Sequence, residues 1–543
     1  MSKLFILGID GASLKLIERW QDELPNLRRI MENGVYGELE STMPPITCPA
    51  WPCMFTGKNP GKIGIYDFVV PSFSHAGPTL HSSLSYSAQS LWQILSDSDK
   101  KIGLLNVPVT YPPPRVDGFS VSGFGAPLAE TMKKDYIYPA SLREELDRVV
   151  GGYEVEPPID VRLKGKEKHY IAALDDMLKK KLKAAKYLMA NSEWDLFICV
   201  FAVLDRVQHY FWQHMDKTHP CHTGEEYQPV IKDFYKKVDL AAGELFDMLP
   251  EKTNVLVASD HGFQAEHGQF LINTWLKKKG FMNLNKDTRL VSNCVRIVRN
   301  SFLRVSSPEL TRFVSKIIPQ KILAKLLSVS GAGGMLSNIF SRIDWPLTKA
   351  FALGGGGSGG MIFMNVKGIR PNGIVIPGDE YEAIRKDIIT GLKDLRNPRT
   401  GELLDIKIYK KEEIYHGSHL EIAPDIVFLI NQYGAQATIG ETTLEWQEEL
   451  PSGMHALEGI FMAYGPDISQ RGQKFLNLKI YDITPTALHM FGLPVARDMD
   501  GRVLTEIFKE DSPLAQRPVE YRELDEANRV KSKIAALKKS KLI

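Results

Sequence analysis

The chain is short of cysteine, and it has no run of apolar residues long enough to cross a bilayer. Its five cysteines, Cys48, Cys53, Cys199, Cys221 and Cys294, form an odd set without a CxxC pair in 543 residues. That spacing fits no disulfide framework and no CxxC metal motif, and reduced thiols in the cytoplasm are the expectation. The longest apolar run, Leu196–Leu204, falls far short of the roughly 20 residues a membrane helix needs. The stretch Leu4–Ile9 is too short for the core of a signal peptide with a cleavage site, and it reads as a buried first strand. Neither sign of charge dominates: 67 Lys and Arg face 65 Asp and Glu, for a net +2. A global electrostatic grip on nucleic acid is therefore not expected. No internal repeat is visible. The glycine-rich run Gly354–Gly360 lacks the Lys-Ser/Thr of a phosphate loop and no helix pattern follows it. It reads as a turn before an edge strand at Met361–Asn365.

What is there is an ordinary globular composition, 43% hydrophobic and 24% charged. The length suits one large α/β domain with insertions or more than one unit. Six apolar runs read as buried parallel strands: Leu4–Ile9, Ile102–Val107, Leu196–Leu204, Val255–Ala258, Ile426–Ile430 and Ile460–Ala463. Helical stretches such as Lys166–Met189 and Gln228–Met248 lie between them, and that alternation implies a doubly wound, mostly parallel sheet flanked by helices. One region departs from the pattern. Between Lys286 and Arg342 ten Lys or Arg face two acids, at helical spacing, with a break at Gly331–Gly334. It reads as an inserted basic helical cap, either a solvated insertion or a surface for an anionic partner such as a membrane. The expected division is a core over 1–280, the cap over 281–345, the rest of the core over 346–510 and a charged tail over 511–543.

Three apolar runs end in an aspartate: Asp10, Asp205 and Asp260. A lone Asp after a strand is usually a helix N-cap. Three gathered on the C-terminal edge of a parallel sheet repel one another unless a cation neutralises them. Asp205 and His209 stand at i, i+4, on one face of a helix, and Asp260 and His261 are adjacent on a tight turn. Carboxylate and imidazole without thiolate suit Zn²⁺ or Mn²⁺. Prolines hold the backbone on both sides of Thr47 in Pro44-Pro45-Ile46-Thr47-Cys48-Pro49. A rigid hydroxyl beside cations can ionise and attack phosphorus, although the segment alone reads better as a plain proline-rich loop. Cys48 is a rival nucleophile, but a thiolate beside zinc tends to be captured as a ligand.

Taken in order, the segments Phe5–Gly11, Pro44–Trp51, Phe55–Gly61, Gly64–Phe68, Asp205/His209, Ser259–Phe263, Gly453–His455 with Gly459–Ala463, Tyr481–Thr486 and Asp500–Leu504 resemble the type I phosphodiesterase/nucleotide pyrophosphatase family of the alkaline phosphatase superfamily. The resemblance covers most of the chain outside the basic insertion. It implies an alkaline phosphatase-like core and two divalent metal ions. One ion falls to Asp205, His209 and His455, and the other to Asp10, Asp260 and His261. Thr47 is then the nucleophile and a further ligand of that second ion. His455 follows from the resemblance alone.

The match departs at Tyr66-Asp67-Phe68, where nucleotide pyrophosphatases carry an asparagine that helps to hold a phosphoryl oxygen. The resemblance thus implies hydrolysis of a diester or pyrophosphate bond in a small phosphate ester, without fixing a nucleotide. The alternatives are a phosphomonoesterase, a metal-dependent phosphomutase and a non-catalytic metal-binding relative. Arg206, Lys58 and Lys62 stand near site residues in sequence, yet none is an obvious clamp for the extra charge of a monoester.

Overall fold

The computed structural model describes residues 3–70, 79–125, 136–153, 155–156, 165–285, 342–354, 358–439, 445–447 and 452–523. The strands that carry the site are Lys3–Ile9 (β1), Val35–Glu40 (β2), Ile102–Val107 (β3), Gly118–Ser122 (β4), Ile137–Tyr138 (β5), Leu196–Phe201 (β6), Thr253–Ala258 (β7), Gly262–Ala265 (β8), Gly453–Ala456 (β9), Glu458–Tyr464 (β10) and Gln473–Lys479 (β11). The main helices around them are Thr47–Thr56 (α1), Glu167–Asn191 (α2), Val203–Met215 (α3) and Val230–Phe246 (α4).

All of these strands except β8 and β9 form one nine-stranded sheet in the order β11-β2-β10-β7-β1-β6-β3-β4-β5. β1 runs parallel to both neighbours, with Leu4 opposite Leu196 on one side and Asn254 on the other. Because successive side chains point to opposite faces, β1 feeds two cores. Phe5, Leu7 and Ile9 pack with Leu174 of α2, Phe211 of α3 and Phe234 of α4. Leu4 and Ile6 pack with Trp51 and Phe55 of α1 and with Leu488. Each such side chain stabilises the fold by about 1.5–3 kcal/mol. Covered on both faces, the central strands lose all polar alternation and read as unbroken apolar runs.

The chain thus has a mixed α/β architecture with a large, mostly parallel sheet flanked by helices, consistent with an alkaline phosphatase-like fold. Four local expectations need correction. The run at Ile460–Ala463 belongs to β10, which is antiparallel to β7 and β2. Ile426–Ile430 leaves the main sheet for a four-stranded antiparallel one with Ala350–Ala352, Gly360–Met364 and Ile406–Lys410. Gly360–Met364 is an interior strand of that sheet and not an edge. The run Leu196–Leu204 is a strand only to Phe201; Val203 and Leu204 are the buried first turn of α3. One cause lies behind all four. Burial on every side makes a run apolar whatever its direction, neighbours or backbone period.

The basic segment at 286–341 and the tail from 524 lie outside the described residues. The described residues on either side of it meet, since Leu284 and Ile343 form an antiparallel bridge and Asn285 N–H donates to Arg342 O at 2.9 Å. Within the described start of the expected tail, Leu514 is buried in the core that holds Trp51. Among the described residues no helix is long and apolar enough to cross a membrane.

Candidate metal centre

Parallel strands end on one edge of the sheet, and there β1, β6 and β7 deliver their loops side by side. Asp10 follows β1, Asp205 stands in the first turn of α3, and Asp260 lies two residues beyond β7. The backbone ties these loops together: Asp205 N–H donates to Asp10 O at 3.1 Å, and Gly11 N–H donates to Asp260 Oδ1 at 3.4 Å. Gly11 has φ +72°, and a Cβ there would lie 3.1 Å from Asp205 Cα. Both the left-handed backbone and the close approach call for glycine.

The three histidines come from two further pieces. His209 is one turn along α3 from Asp205. His261 precedes β8, which pairs antiparallel with β9 so that Phe263 faces His455. This long-range strand pair stacks the His261 and His455 rings, with centroids 3.6 Å apart and planes at 14°.

The donor atoms fall into two groups, Asp205/His209/His455 and Asp10/Asp260/His261, each with its atoms within 4.8 Å of one another. Asp205 Oδ1 lies 3.1 Å from His455 Nε2 and 3.4 Å from His209 Nε2. His261 Nε2 lies 3.2 Å from Asp260 Oδ2, 3.6 Å from Asp10 Oδ1 and 4.0 Å from Asp205 Oδ1, so the two groups adjoin.

Three observations fit divalent cations. First, Asp10 Oδ1, Asp205 Oδ1 and Asp260 Oδ2 are buried and accept no well-aligned hydrogen bond, although imidazole nitrogens stand close by. Second, each imidazole spends its Nδ1 on a backbone carbonyl: His209 on Gly453 at 2.8 Å, His261 on Gly262 at 3.1 Å and His455 on Pro45 at 2.9 Å. A carbonyl only accepts, so these partners assign the proton to Nδ1 and leave each Nε2 lone pair turned inward. His209 Nε2 and His455 Nε2 then face one another at 3.1 Å, an arrangement that a cation or a proton between them relieves. Third, the carboxylates are mutually strained. Burial, aided by the Asp205 charge, raises Asp10 well above the usual carboxylate range, and burial with Asp10 and Asp205 does the same to Asp260. Burial would also raise Asp205, but His209 and Arg206 outweigh it and hold that carboxyl well below the usual range. Burial pushes the His261 and His455 imidazoles down, toward the neutral form that a metal ligand needs.

Thr47 opens α1, and its Oγ1 lies 3.2 Å from His261 Nε2. The N-cap residue is Ile46, which has no side chain able to cap the helix. The positive end of the helix is thus directed at the Thr47 region without a competing anion from the cap. Burial, with Asp67 nearby, drives the Cys48 thiol well above its ordinary value, so Cys48 stays protonated and inert.

The structure therefore brings Asp10, Thr47, Asp205, His209, Asp260, His261 and His455 into one cluster, buried except at the half-buried His209. It commits other candidates elsewhere. Lys62 Nζ donates to Asp500 Oδ1 at 2.6 Å, His416 Nε2 lies 2.6 Å from the same oxygen, and Lys58 pairs with Asp498. Arg206 is taken up by Asp205 and Glu156.

Supporting residues that the sequence did not reveal are Trp51, whose Nε1–H donates to Asp10 Oδ2 at 3.3 Å, and Ser358, whose Oγ accepts from His455 N–H at 3.0 Å. Ser358 sits in the glycine-rich run. A Cβ on Gly354 of the same run would fall 1.5 Å from Asp67 Oδ2. The run thus touches the site through Ser358 and His455. Its only signal in the sequence was the density of glycine, which marks close backbone approach as well as turns.

Just beyond β8, Glu266 is 2% exposed and neither carboxyl oxygen has a partner. Burial pushes its pKa from 4.5 up to about 8 despite nearby Gln269. The folded state therefore favours the protonated form. Stability is full below the unfolded value and is lost as pH rises toward and through the folded one. Glu266→Gln is expected to match wild type in denaturant unfolding at pH 4 and to exceed it at pH 9 by about 2–4 kcal/mol. Equal stability at pH 9 would show that Glu266 ionises without penalty.

The model of the type I phosphodiesterase / nucleotide pyrophosphatase family matches residues 4–457, and the chain belongs to that family. Membership supports a phosphoric ester hydrolase of a metal-dependent family. Among curated proteins, none matches the chain.

Proposed function

We propose that this member of the type I phosphodiesterase / nucleotide pyrophosphatase family hydrolyses phosphodiester or pyrophosphate bonds with Thr47 as nucleophile. The observation that carries the reading is the convergence of three inward imidazole lone pairs and three unpartnered buried carboxylate oxygens beside Thr47 Oγ1. Asp205, His209 and His455 would hold one divalent ion, and Asp10, Asp260 and His261 the other, with Thr47 beside the second. Nitrogen and carboxylate donors suit zinc, with manganese as the alternative. Bound there, such ions supply positive charge that favours the ionised threonine and offsets charge building on the phosphoryl oxygens.

The rest is the work of the chain. The start of α1 holds Thr47 Oγ1 in place for in-line approach to phosphorus. The Oγ1–P bond forms as the bond from phosphorus to the leaving oxygen breaks, and the leaving group takes up a proton from solvent. Water then cleaves the phosphothreonine, which releases the phosphorylated product and restores the hydroxyl. Positioning and charge stabilisation suffice for such a transfer.

Three observations support a diester or pyrophosphate over a monoester. Lys58, Lys62 and Arg206 are each committed to carboxylates, so none is an additional clamp for a second phosphoryl charge. With zinc or manganese added, bis-p-nitrophenyl phosphate is expected to be cleaved at least about tenfold faster than p-nitrophenyl phosphate, a difference of about 1.4 kcal/mol in barrier. The reverse order would turn the assignment to a monoesterase. No cleavage of either by ion-loaded protein would favour a phosphomutase or a binding protein.

A further inference from the structure

Behind Asp205 lies a group of buried charges that the chemistry above does not use. Arg206 follows Asp205 on α3, and its Nη1 donates to Asp205 Oδ2. The rest of the fork goes to Glu156: Nε donates to Oε2 at 2.9 Å and Nη2 to Oε1 at 3.1 Å. The side chains of Arg206 and Glu156 are 13% and 12% exposed, and the guanidinium lies over the Phe124 ring at 4.6 Å. Lys181 of α2, itself buried, donates from Nζ to Val155 O at 2.8 Å and so ties down the residue before Glu156. Of these bonds, only that from Arg206 Nη1 reaches a residue of the candidate metal centre.

We propose that Arg206 and Glu156 are positioning residues for the cation held by Asp205, His209 and His455. Arg206 takes up Asp205 Oδ2, so that Oδ1 alone is turned toward His209 and His455. A guanidinium is a costly neighbour for a cation site, because its charge repels the incoming ion. Glu156 removes that cost. Its carboxylate pairs with Arg206 in the two-bonded geometry of a fork, so that Asp205 receives a directed hydrogen bond from a guanidinium whose own charge is offset. The inference rests on the two-ion reading above, and it predicts an interaction between residues that a packing role would not produce.

The test is a zinc titration of the full chain against a chromophoric chelator, on wild type, Glu156→Gln, the double variant Glu156→Gln/Arg206→Gln, and Arg206→Lys. Wild type is expected to bind two ions. Glu156→Gln leaves Arg206 unpaired beside Asp205, and it is expected to weaken one of the two ions by about 10–100-fold and leave the other unchanged. The double variant removes the stray charge and is expected to recover most of that loss. Arg206→Lys keeps the charge and gives up the fork, and it is expected to weaken the same ion. This variant decides the matter even where Glu156→Gln does not fold. Wild-type affinity for both ions in Glu156→Gln and Arg206→Lys overturns the proposal, as does a double variant no tighter than Glu156→Gln. A wild-type protein that binds no zinc overturns the two-ion reading itself, and this inference with it.

Discussion

Thr47→Ala is expected to lower turnover of a chromogenic diester by roughly 10³-fold or more, in the range seen when a hydrolase loses its nucleophile. The side chain is 4% exposed, stands at the first position of α1 and lies 3.2 Å from His261 Nε2. No neighbouring group can take its place. Cys48 is held protonated by burial, and water lacks the fixed position that the helix start gives to Oγ1. Thr47→Ser keeps an oxygen at the same place and is expected to retain measurable turnover, whereas Cys48→Ala is expected to match wild type. Zinc binding at Asp205, His209 and His455 is expected to survive in Thr47→Ala, which separates loss of the nucleophile from collapse of the centre. The measurement is steady-state kinetics with a zinc titration of the same preparations. Wild-type turnover in Thr47→Ala would remove Thr47 from the mechanism.

The second large effect has opposite signs with and without ions. Asp260 is fully buried among Asp10 and Asp205, and its Oδ2 lacks a hydrogen-bond donor. Asp260→Asn keeps an oxygen for Gly11 N–H. It also places an amide where Oδ2 stands, 3.2 Å from the His261 Nε2 lone pair, in position to donate. The metal-free variant is therefore expected to be more stable than metal-free wild type by about 1–3 kcal/mol, the usual cost of an unsatisfied buried group.

With zinc the order reverses. The variant loses a charged ligand and is expected to bind ions more than about 100-fold more weakly, beyond the roughly 10–100-fold that partners outside the ligand set typically cost. Zinc at 1,000 times its dissociation constant stabilises wild type by about 4 kcal/mol, and that gain is expected to vanish in the variant. Denaturant unfolding of both proteins, with chelator and with zinc, reads the four values. A variant that is less stable than wild type under both conditions would show that Asp260 serves packing and not an ion.

Much of the candidate centre was legible in the sequence because several of its residues follow local rules. Asp10 and Asp260 stand at the ends of apolar strands, and His209 lies one helical turn from Asp205. Those spacings hold in any fold that makes the strand or the helix. His455 had no such rule. It reaches the centre only because β9 pairs with β8 and stacks its ring on His261, a contact between residues 194 positions apart, and resemblance to a family alone pointed to it. Trp51, Ser358 and Glu156 escaped notice for the same reason. Each acts through one hydrogen bond or ion pair to a residue distant in sequence, and nothing local marks it.

By itself the sequence determined that this is an α/β protein with carboxylates and imidazoles at strand ends, because burial erases polar residues from the central strands and leaves the Asp and His of the loops exposed to view. It also carried the family. Only the tertiary structure decided strand direction, the sheet to which each run belongs, which nitrogen of each imidazole turns inward, and which cations are already spent. Those depend on partners far away along the chain. A hydrogen bond from Nδ1 to a carbonyl, or a guanidinium shared between two carboxylates, exists only once folding has brought both ends together.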